Sequence, residues 1–111
     1  MARCTRRDRE ALEVTLPLVV EPEAAAEIEE AARWYEARVP GLGVEFVNVL
    51  RTTLEQVERA PLQFRDVGRG IRVAVLRRFP YAAYFVVDTD SVSVLAVFHH
   101  RRDPVHWQSR R

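Results

Sequence analysis

The chain has 111 residues, of which 48% are hydrophobic and 30% are charged, and its formal net charge is +1. This length and composition predict one soluble domain with a single hydrophobic core and exclude a low-complexity chain. The single cysteine, Cys4, excludes an internal disulfide framework, and no apolar run is long enough to span a membrane. Because residues 1–12 lack the apolar segment of a signal peptide, we expect a cytoplasmic protein.

Charge is distributed unevenly along the chain. Residues 1–60 carry 8 Arg against 12 Asp and Glu, whereas residues 61–111 carry 9 Arg against 4 Asp. The C-terminal half is therefore basic, which favours an anionic partner there. All 17 basic side chains are arginine, so no lysine is available for catalysis.

The chain begins with a charged extension followed by a predicted edge strand. Residues 1–12, with four arginines, predict a disordered extension, and residues 13–111 predict a single domain. Val14–Val20 reads as the first strand. Because Pro17 cannot donate a hydrogen bond to a ladder, that strand is expected at a sheet edge or at a bulge.

Two amphipathic helices are predicted next, separated by Pro40-Gly41-Leu42-Gly43. The first begins at Pro22 and ends near Val39, with an apolar stripe at 3–4 residue spacing made of Ala24, Ile28, Ala31 and Tyr35. The second ends at Pro61, and its stripe consists of Phe46, Leu50, Leu54 and Val57. So short a break indicates an antiparallel helical hairpin, and the sheet is the only candidate to cover both stripes.

Three closely spaced strands follow the helices. Runs rich in β-branched and aromatic residues predict strands over Ile71–Arg78, Tyr81–Val87 and Val92–Phe98. Beyond them, Asp103 and Pro104 predict a short terminal helix. The predicted fold is α+β with the order βααβββ(α), in which the helical hairpin packs on one face of a small, mainly antiparallel four-stranded sheet.

Strand alternation predicts which sheet face the helices cover. In the first strand of the meander, Ile71, Val73 and Val75 are assigned to the covered face. In the last strand, one face carries Val92, Val94, Ala96 and Phe98, and the other carries Ser93, Leu95, Val97 and His99. The resulting assembly puts Arg72, Arg78 and His99 on the open face, although a one-residue bulge would invert the assignment.

Several short stretches, in this order and spacing, resemble the ParE/RelE superfamily of toxins from type II toxin–antitoxin systems, also called plasmid stabilisation proteins. They cover roughly residues 14–110. The stretches are Glu23-Ala24, Trp34-Tyr35, Pro40-Gly41-Leu42-Gly43 with Phe46, Pro61, Gly70-Ile71-Arg72, Arg78-Phe79-Pro80-Tyr81 with Tyr84, and His99 with Arg101-Arg102-Asp103-Pro104 and Trp107.

The resemblance implies a growth-inhibiting toxin that is held inactive by a cognate antitoxin. ParE-like members resemble poisons of DNA gyrase without an active site of their own, and RelE-like members are ribosome-dependent ribonucleases that cut mRNA. RelE-like toxins usually carry an Arg three residues before the Tyr of the middle strand, and here that position is Tyr81. The missing Arg favours the ParE-like branch, so an enzymatic activity is left open but is not the expectation. A third alternative is an inactive relic that only binds antitoxin.

The basic C-terminal half supplies the candidate site residues. If the protein were a metal-independent nuclease, His99 could act as acid or base, while Arg72 and Arg101 could hold the phosphate. The residues expected to bind target or antitoxin are Arg72, Arg78, Tyr81, His99, Arg101, Arg102 and Trp107.

No cofactor and no metal site is expected, since adjacent His99 and His100 diverge on an extended chain. Trp34 and Tyr35 are interpreted as packing residues. The expected partners are an antitoxin, forming a hetero-oligomer, and either gyrase or the ribosome with its mRNA. The antitoxin would present an amphipathic helix or an added strand, with acidic groups for the Arg cluster.

Overall fold

The structure is a computed structural model, and it describes residues 16–99. Two helices lie on one face of a five-stranded sheet. In chain order the elements are β1 (Leu18–Val20), α1 (Pro22–Arg38), α2 (Leu42–Arg59), a 3₁₀ turn (Pro61–Gln63), β2 (Arg65–Gly68), β3 (Ile71–Val75), β4 (Tyr81–Val87) and β5 (Val92–His99). The predicted α+β class and the helical hairpin on the sheet are confirmed. The predicted extension and terminal helix lie outside the described residues.

Both helices begin and end where local chemistry predicts. Pro22 occupies the first turn of α1, and Glu23 stands at the positive end of its dipole. Gly41 precedes α2 with φ of 89°, in the left-handed region that favours glycine. The Glu36 carboxylate accepts hydrogen bonds from the backbone N–H groups of Gly41 and Gly43, at 2.9 and 3.0 Å. One side chain of α1 thus holds the connection to α2.

The sheet has the strand order β1-β5-β4-β3-β2 and five strands, where four were predicted. The strand that the prediction lacks is β2, a short, charged edge strand antiparallel to β3 with a bulge between Asp66 and Gly68. Exposed charge and a bulge are typical of edge strands. They also remove the alternation of apolar residues by which β2 could have been predicted from the sequence. β1 lies at the opposite edge, as Pro17 predicts, and pairs in parallel with β5.

The predicted assignment of sheet faces is wrong. Ala74 and Leu76 belong to the core cluster beneath the helices, whereas Ile71 and Val73 belong to a second apolar cluster on the opposite face, and Val75 is exposed there. The prediction failed because β3 carries apolar residues on both faces, so alternation alone does not identify the covered one.

A bulge in β5 also overturns the predicted faces of the last strand. Tyr84 pairs with Ala96 but Phe85 pairs with Val94, so Leu95 is the extra residue. As a result Val92, Val94 and Val97 lie in the core beneath the helices, and Ala96 and Phe98 lie in the second cluster. His99, which pairs with Tyr81, comes onto the helix-covered face.

Within the described part of the chain, no helix is long and apolar enough to cross a membrane.

Candidate functional site

Four aromatic rings, which we call the aromatic cluster, lie where the helical hairpin meets the start of β4. Phe46 of α2 is fully buried at its centre. Its ring centroid lies 5.4 Å from that of Tyr35 and 5.3 Å from those of Phe79 and Tyr81. The Phe79-Pro80-Tyr81 stretch, singled out in the sequence for its resemblance, therefore joins the sheet to the helices.

A cleft of about 350 Å³, which we call the α1–β5 cleft, opens beside the aromatic cluster. One wall is α1 and the other is formed by the start of β4 and the end of β5. Its lining comprises Glu27, Glu30, Ala31, Trp34, Tyr35, Pro80, Tyr81, Val97, Phe98 and His99. Among the described residues, the lining thus combines carboxylates, aromatic rings and the imidazole of His99.

The α1 wall is fixed to the sheet by a partly buried polar contact. Glu27 accepts a hydrogen bond from the backbone N–H of Val97 at 2.9 Å, on the side of β5 where β1 has already ended. The carboxylate therefore takes the place of a strand partner for that N–H. Glu30 follows one turn later on the same wall and is exposed.

The aromatic side of the cleft carries the hydroxyl groups of Tyr35 and Tyr81. Burial raises the pKa of the Tyr35 hydroxyl, and the neighbouring Tyr81 phenol raises it further. Tyr35 therefore stays protonated at neutral pH. The Tyr81 ring continues the aromatic surface to His99, with centroids 5.9 Å apart.

Trp34 stands at the mouth of the cleft with half of its surface exposed. The guanidinium carbon of Arg38 lies 4.2 Å from the centroid of its ring, a cation–π contact between neighbouring turns of α1. Trp34 therefore packs against Tyr35, as a packing residue would, and also contacts the Arg38 guanidinium.

Arg72 is engaged in the fold, far from His99. Its guanidinium Nη1 donates to the carbonyl of Phe64 at 2.6 Å and ties β3 to the segment before β2. Arg72 pairs with Phe85, and His99 pairs with Tyr81 two strands away. With about 3.3 Å per residue and about 4.8 Å between strands, their Cα atoms lie about 16 Å apart. The structure therefore does not bring Arg72 and His99 to one phosphate.

Arg78 lies in the loop between β3 and β4, with a positive φ of 70°. Its Nη2 donates to Oε1 of Glu45 at 2.9 Å, and the guanidinium also lies 5.7 Å from the Phe79 ring centroid. Both charged side chains are more than half exposed. Arg78 is thus held against the first turn of α2, on the loop that leads into the aromatic cluster.

For Arg78→Ala we expect the free energy of unfolding to fall by less than about 1 kcal/mol, because the ion pair with Glu45 is exposed. Arg78→Gly should be the more stable of the two variants, since glycine adopts a positive φ without steric cost. Urea denaturation of both proteins checks this. A loss of more than about 2 kcal/mol in Arg78→Ala would contradict the exposed-pair account.

The predicted site residues are therefore dispersed. Tyr81 and His99 lie together in the α1–β5 cleft, while Arg72 and Arg78 lie outside its lining. Arg101, Arg102 and Trp107 lie outside the described residues. Within residues 16–99 no group of three His, Cys, Asp or Glu side chains could hold a metal ion.

Sequence reasoning did not identify the acidic wall of the cleft. Neither Glu27 nor Glu30 belongs to the predicted apolar stripe of α1. A signal was present, because Glu27, Glu30 and Trp34 recur at helical spacing along one stripe of α1. Their convergence with Tyr81 and His99 depends on tertiary packing.

Comparisons with known proteins agree with this architecture. Residues 18–104 match the family model described as the ParE toxin of type II toxin–antitoxin system, parDE. The chain is similar in fold to the chromosomal ParDE system from P. aeruginosa, with a TM-score of 0.69, 19% identity and coverage of 77% of this chain and 96% of that chain.

The fold is also similar to that of the RelBE2 toxin–antitoxin complex from Mycobacterium tuberculosis. There the TM-score is 0.55 and the identity 19%, with 78% of this chain and 100% of that chain covered. No curated protein sequence matches. At 19% identity, these two similarities show that the chain shares the fold of those proteins.

Proposed function

The chain belongs to the ParE toxin family of type II toxin–antitoxin systems, and on that premise we propose that it arrests growth by poisoning DNA gyrase in the cytoplasm, without an active site of its own. The observation that carries this proposal is the separation of Arg72 from His99. RNA cleavage without a metal needs an acid, a base and cations around a single phosphate. Among the described residues, the two candidates for these roles, Arg72 and His99, lie apart on the sheet.

Tyr81 supports the same proposal. The resemblance to RelE-like toxins places an Arg at this position, where a guanidinium would stabilise the phosphorane. Here the residue is a tyrosine whose ring packs 5.3 Å from Phe46 and 6.0 Å from Tyr35, centroid to centroid. Its role in the described structure is to join β4 to the helices.

Purified toxin, mixed with gyrase and supercoiled plasmid, is expected to give cleaved DNA in a dose-dependent manner. Two reactions serve as controls: one without gyrase, and one with toxin that was first incubated with its cognate antitoxin. Neither should cleave, because the toxin is proposed to trap the enzyme's own cleavage complex. Intact plasmid at a stoichiometric excess of toxin would reject gyrase as the target.

The second candidate is a ribosome-dependent mRNA endoribonuclease. It is favoured by the similarity in fold to the RelBE2 complex and by His99, an acid–base group in a cleft. Primer extension on translated mRNA would show new 5′ ends, and His99→Ala would abolish them. If neither target is affected and cells that express the chain alone grow normally, the protein is a relic that only binds antitoxin.

An antitoxin partner is proposed for this chain as well, because both similar structures are toxin–antitoxin systems. We infer a hetero-oligomer in which the antitoxin covers apolar surface of the toxin and places acidic groups near its arginines. Arg72, Arg78, Tyr81, His99, Arg101, Arg102 and Trp107 remain the proposed contacts for target or antitoxin. Copurification of the two proteins, followed by a mass measurement, gives the stoichiometry.

A further inference from the structure

We propose that the α1–β5 cleft binds a cationic side chain, an arginine presented by the antitoxin. The inference rests on the proposed antitoxin partner and adds a second kind of contact. Elsewhere, acidic groups of the antitoxin would meet arginines of the toxin. In this cleft the toxin supplies the carboxylates and the antitoxin supplies the positive charge. The cleft chemistry, the charge of α1 and an existing guanidinium contact carry it.

The charge of α1 favours a cation. Between Pro22 and Arg38 there are five glutamates against two arginines, a net charge of −3 in a protein whose overall charge is +1. Glu27 and Glu30 belong to the cleft lining itself. A guanidinium entering the cleft would meet the exposed carboxylate of Glu30, which its planar fork of N–H donors can engage through two parallel hydrogen bonds. Glu27, one helical turn away, adds negative charge to the same wall.

The aromatic lining favours a guanidinium over a plain apolar group. Trp34, Tyr35 and Tyr81 belong to the lining of the cleft. The faces of such rings attract cations, most strongly for tryptophan, and arginine also stacks on them. Arg38 already makes such a cation–π contact, since its guanidinium carbon lies 4.2 Å from the Trp34 ring centroid.

The size of the cleft fits one long side chain. Its volume of about 350 Å³ is at the lower end of the range for ligand pockets, about 300–1,000 Å³. An arginine stem can lie along apolar Ala31 and Pro80 while its head reaches the carboxylates. An anion is disfavoured there, because among the described residues the lining carries two carboxylates and no arginine.

Two small probes test the chemistry on the full-length toxin, without gyrase or antitoxin. N-acetyl-arginine N-methylamide carries the guanidinium, and the matching citrulline compound is its uncharged isostere. Titrations are followed by the indole N–H signal of Trp34, which is assigned with Trp34→Phe. The arginine probe is expected to bind about tenfold tighter, which corresponds to about 1.4 kcal/mol. Equal binding of the two probes would overturn the proposal.

Adjacent glutamates on α1 provide a matched pair of variants. Glu30→Gln removes a carboxylate of the cleft and should weaken the arginine probe about fivefold. Glu29→Gln makes the same charge change on a side chain that pairs with Arg33 outside the cleft, and it should change the affinity less than twofold. Equal effects of the two variants would mean that only net charge matters, and this would overturn the site.

The occupant is tested with the cognate antitoxin. Glu30→Arg is expected to weaken antitoxin binding about tenfold. Unaltered antitoxin affinity would overturn the assignment to the antitoxin. If Arg101→Gln with Arg102→Gln tightens the arginine probe more than fivefold, the chain's own arginines are the occupant, which also overturns it. Failure of the wild-type protein to poison gyrase would reject the proposed function alone, because the probe titrations do not involve gyrase.

Discussion

Replacing Phe46 with alanine is expected to lower the free energy of unfolding by about 3–5 kcal/mol. Phe46 is fully buried, and its ring contacts Tyr35, Phe79 and Tyr81 at centroid distances of 5.3–5.4 Å. Truncation removes this ring from the point where α2 meets the β3–β4 loop and β4, and neighbouring rings that are themselves packed cannot collapse fully into the space. Against a typical total of about 5–15 kcal/mol, the loss is large.

Urea denaturation of the wild-type and variant proteins measures the effect. Val44→Ala is the matched control, because Val44 lies on the same helix only two residues away and is 62% exposed. It should change stability by less than about 0.5 kcal/mol. The loss of stability in Phe46→Leu should lie between those of Phe46→Ala and Val44→Ala. A loss below about 1 kcal/mol in Phe46→Ala would show that the cluster repacks freely around the missing ring.

The helices and their pairing could be predicted because their signals are local. Apolar residues at 3–4 residue spacing, Pro22 at one end and Pro40-Gly41 at the other fix α1 and the turn after it. The strands of the meander were predicted for the same reason, from β-branched and aromatic runs. β2 was missed, because Arg65-Asp66-Val67-Gly68 has neither alternation nor enough length to be distinguished from a loop.

The sheet faces could not be predicted, because they depend on two features that alternation does not encode. β3 is apolar on both sides, and the small residues Ala74 and Ala83, which pair with each other, take the side beneath the helices. The bulge at Leu95 then shifts the register of β5 by one residue. His99 reaches the helix side through that bulge, which is why the cleft was not foreseen.

Of the residues that the sequence singled out, Tyr81 and His99 line the cleft, but the arrangement of the set was not predicted. Tyr81 and His99 come together as neighbours across β4 and β5, yet Arg72 is turned toward the Phe64 carbonyl. No pattern in the sequence reveals that contact, because Phe64 belongs to the segment just before the strand that was missed. The acidic wall of α1 is held at the site by the hydrogen bond that the Val97 N–H donates to the Glu27 carboxylate, between residues 70 positions apart.

Gly43→Ala is expected to destabilise the protein, although alanine is ordinarily the better helix former. In an exposed helix interior the exchange gains up to about 1 kcal/mol. Here a Cβ on Gly43 would lie 2.5 Å from the backbone carbonyl oxygen of Ala32 and 3.0 Å from Oε1 of Glu36. Because the nearer neighbour is backbone, α1 and α2 must move apart, which typically costs about 1–3 kcal/mol. Movement also weakens the 3.0 Å hydrogen bond from the Gly43 N–H to Glu36.

The clash therefore outweighs the gain in helix propensity, and we expect a net loss of about 2 kcal/mol in urea denaturation. Gly41→Ala is the comparison that tests backbone strain without a steric clash. A Cβ on Gly41 would meet no atom within 4 Å, but its φ of 89° is unfavourable for alanine. Gly41→Asn should recover stability, since asparagine tolerates the left-handed region, whereas no residue larger than glycine should recover it at position 43. A Gly43→Ala protein as stable as the wild type would show that the two helices can separate at negligible cost.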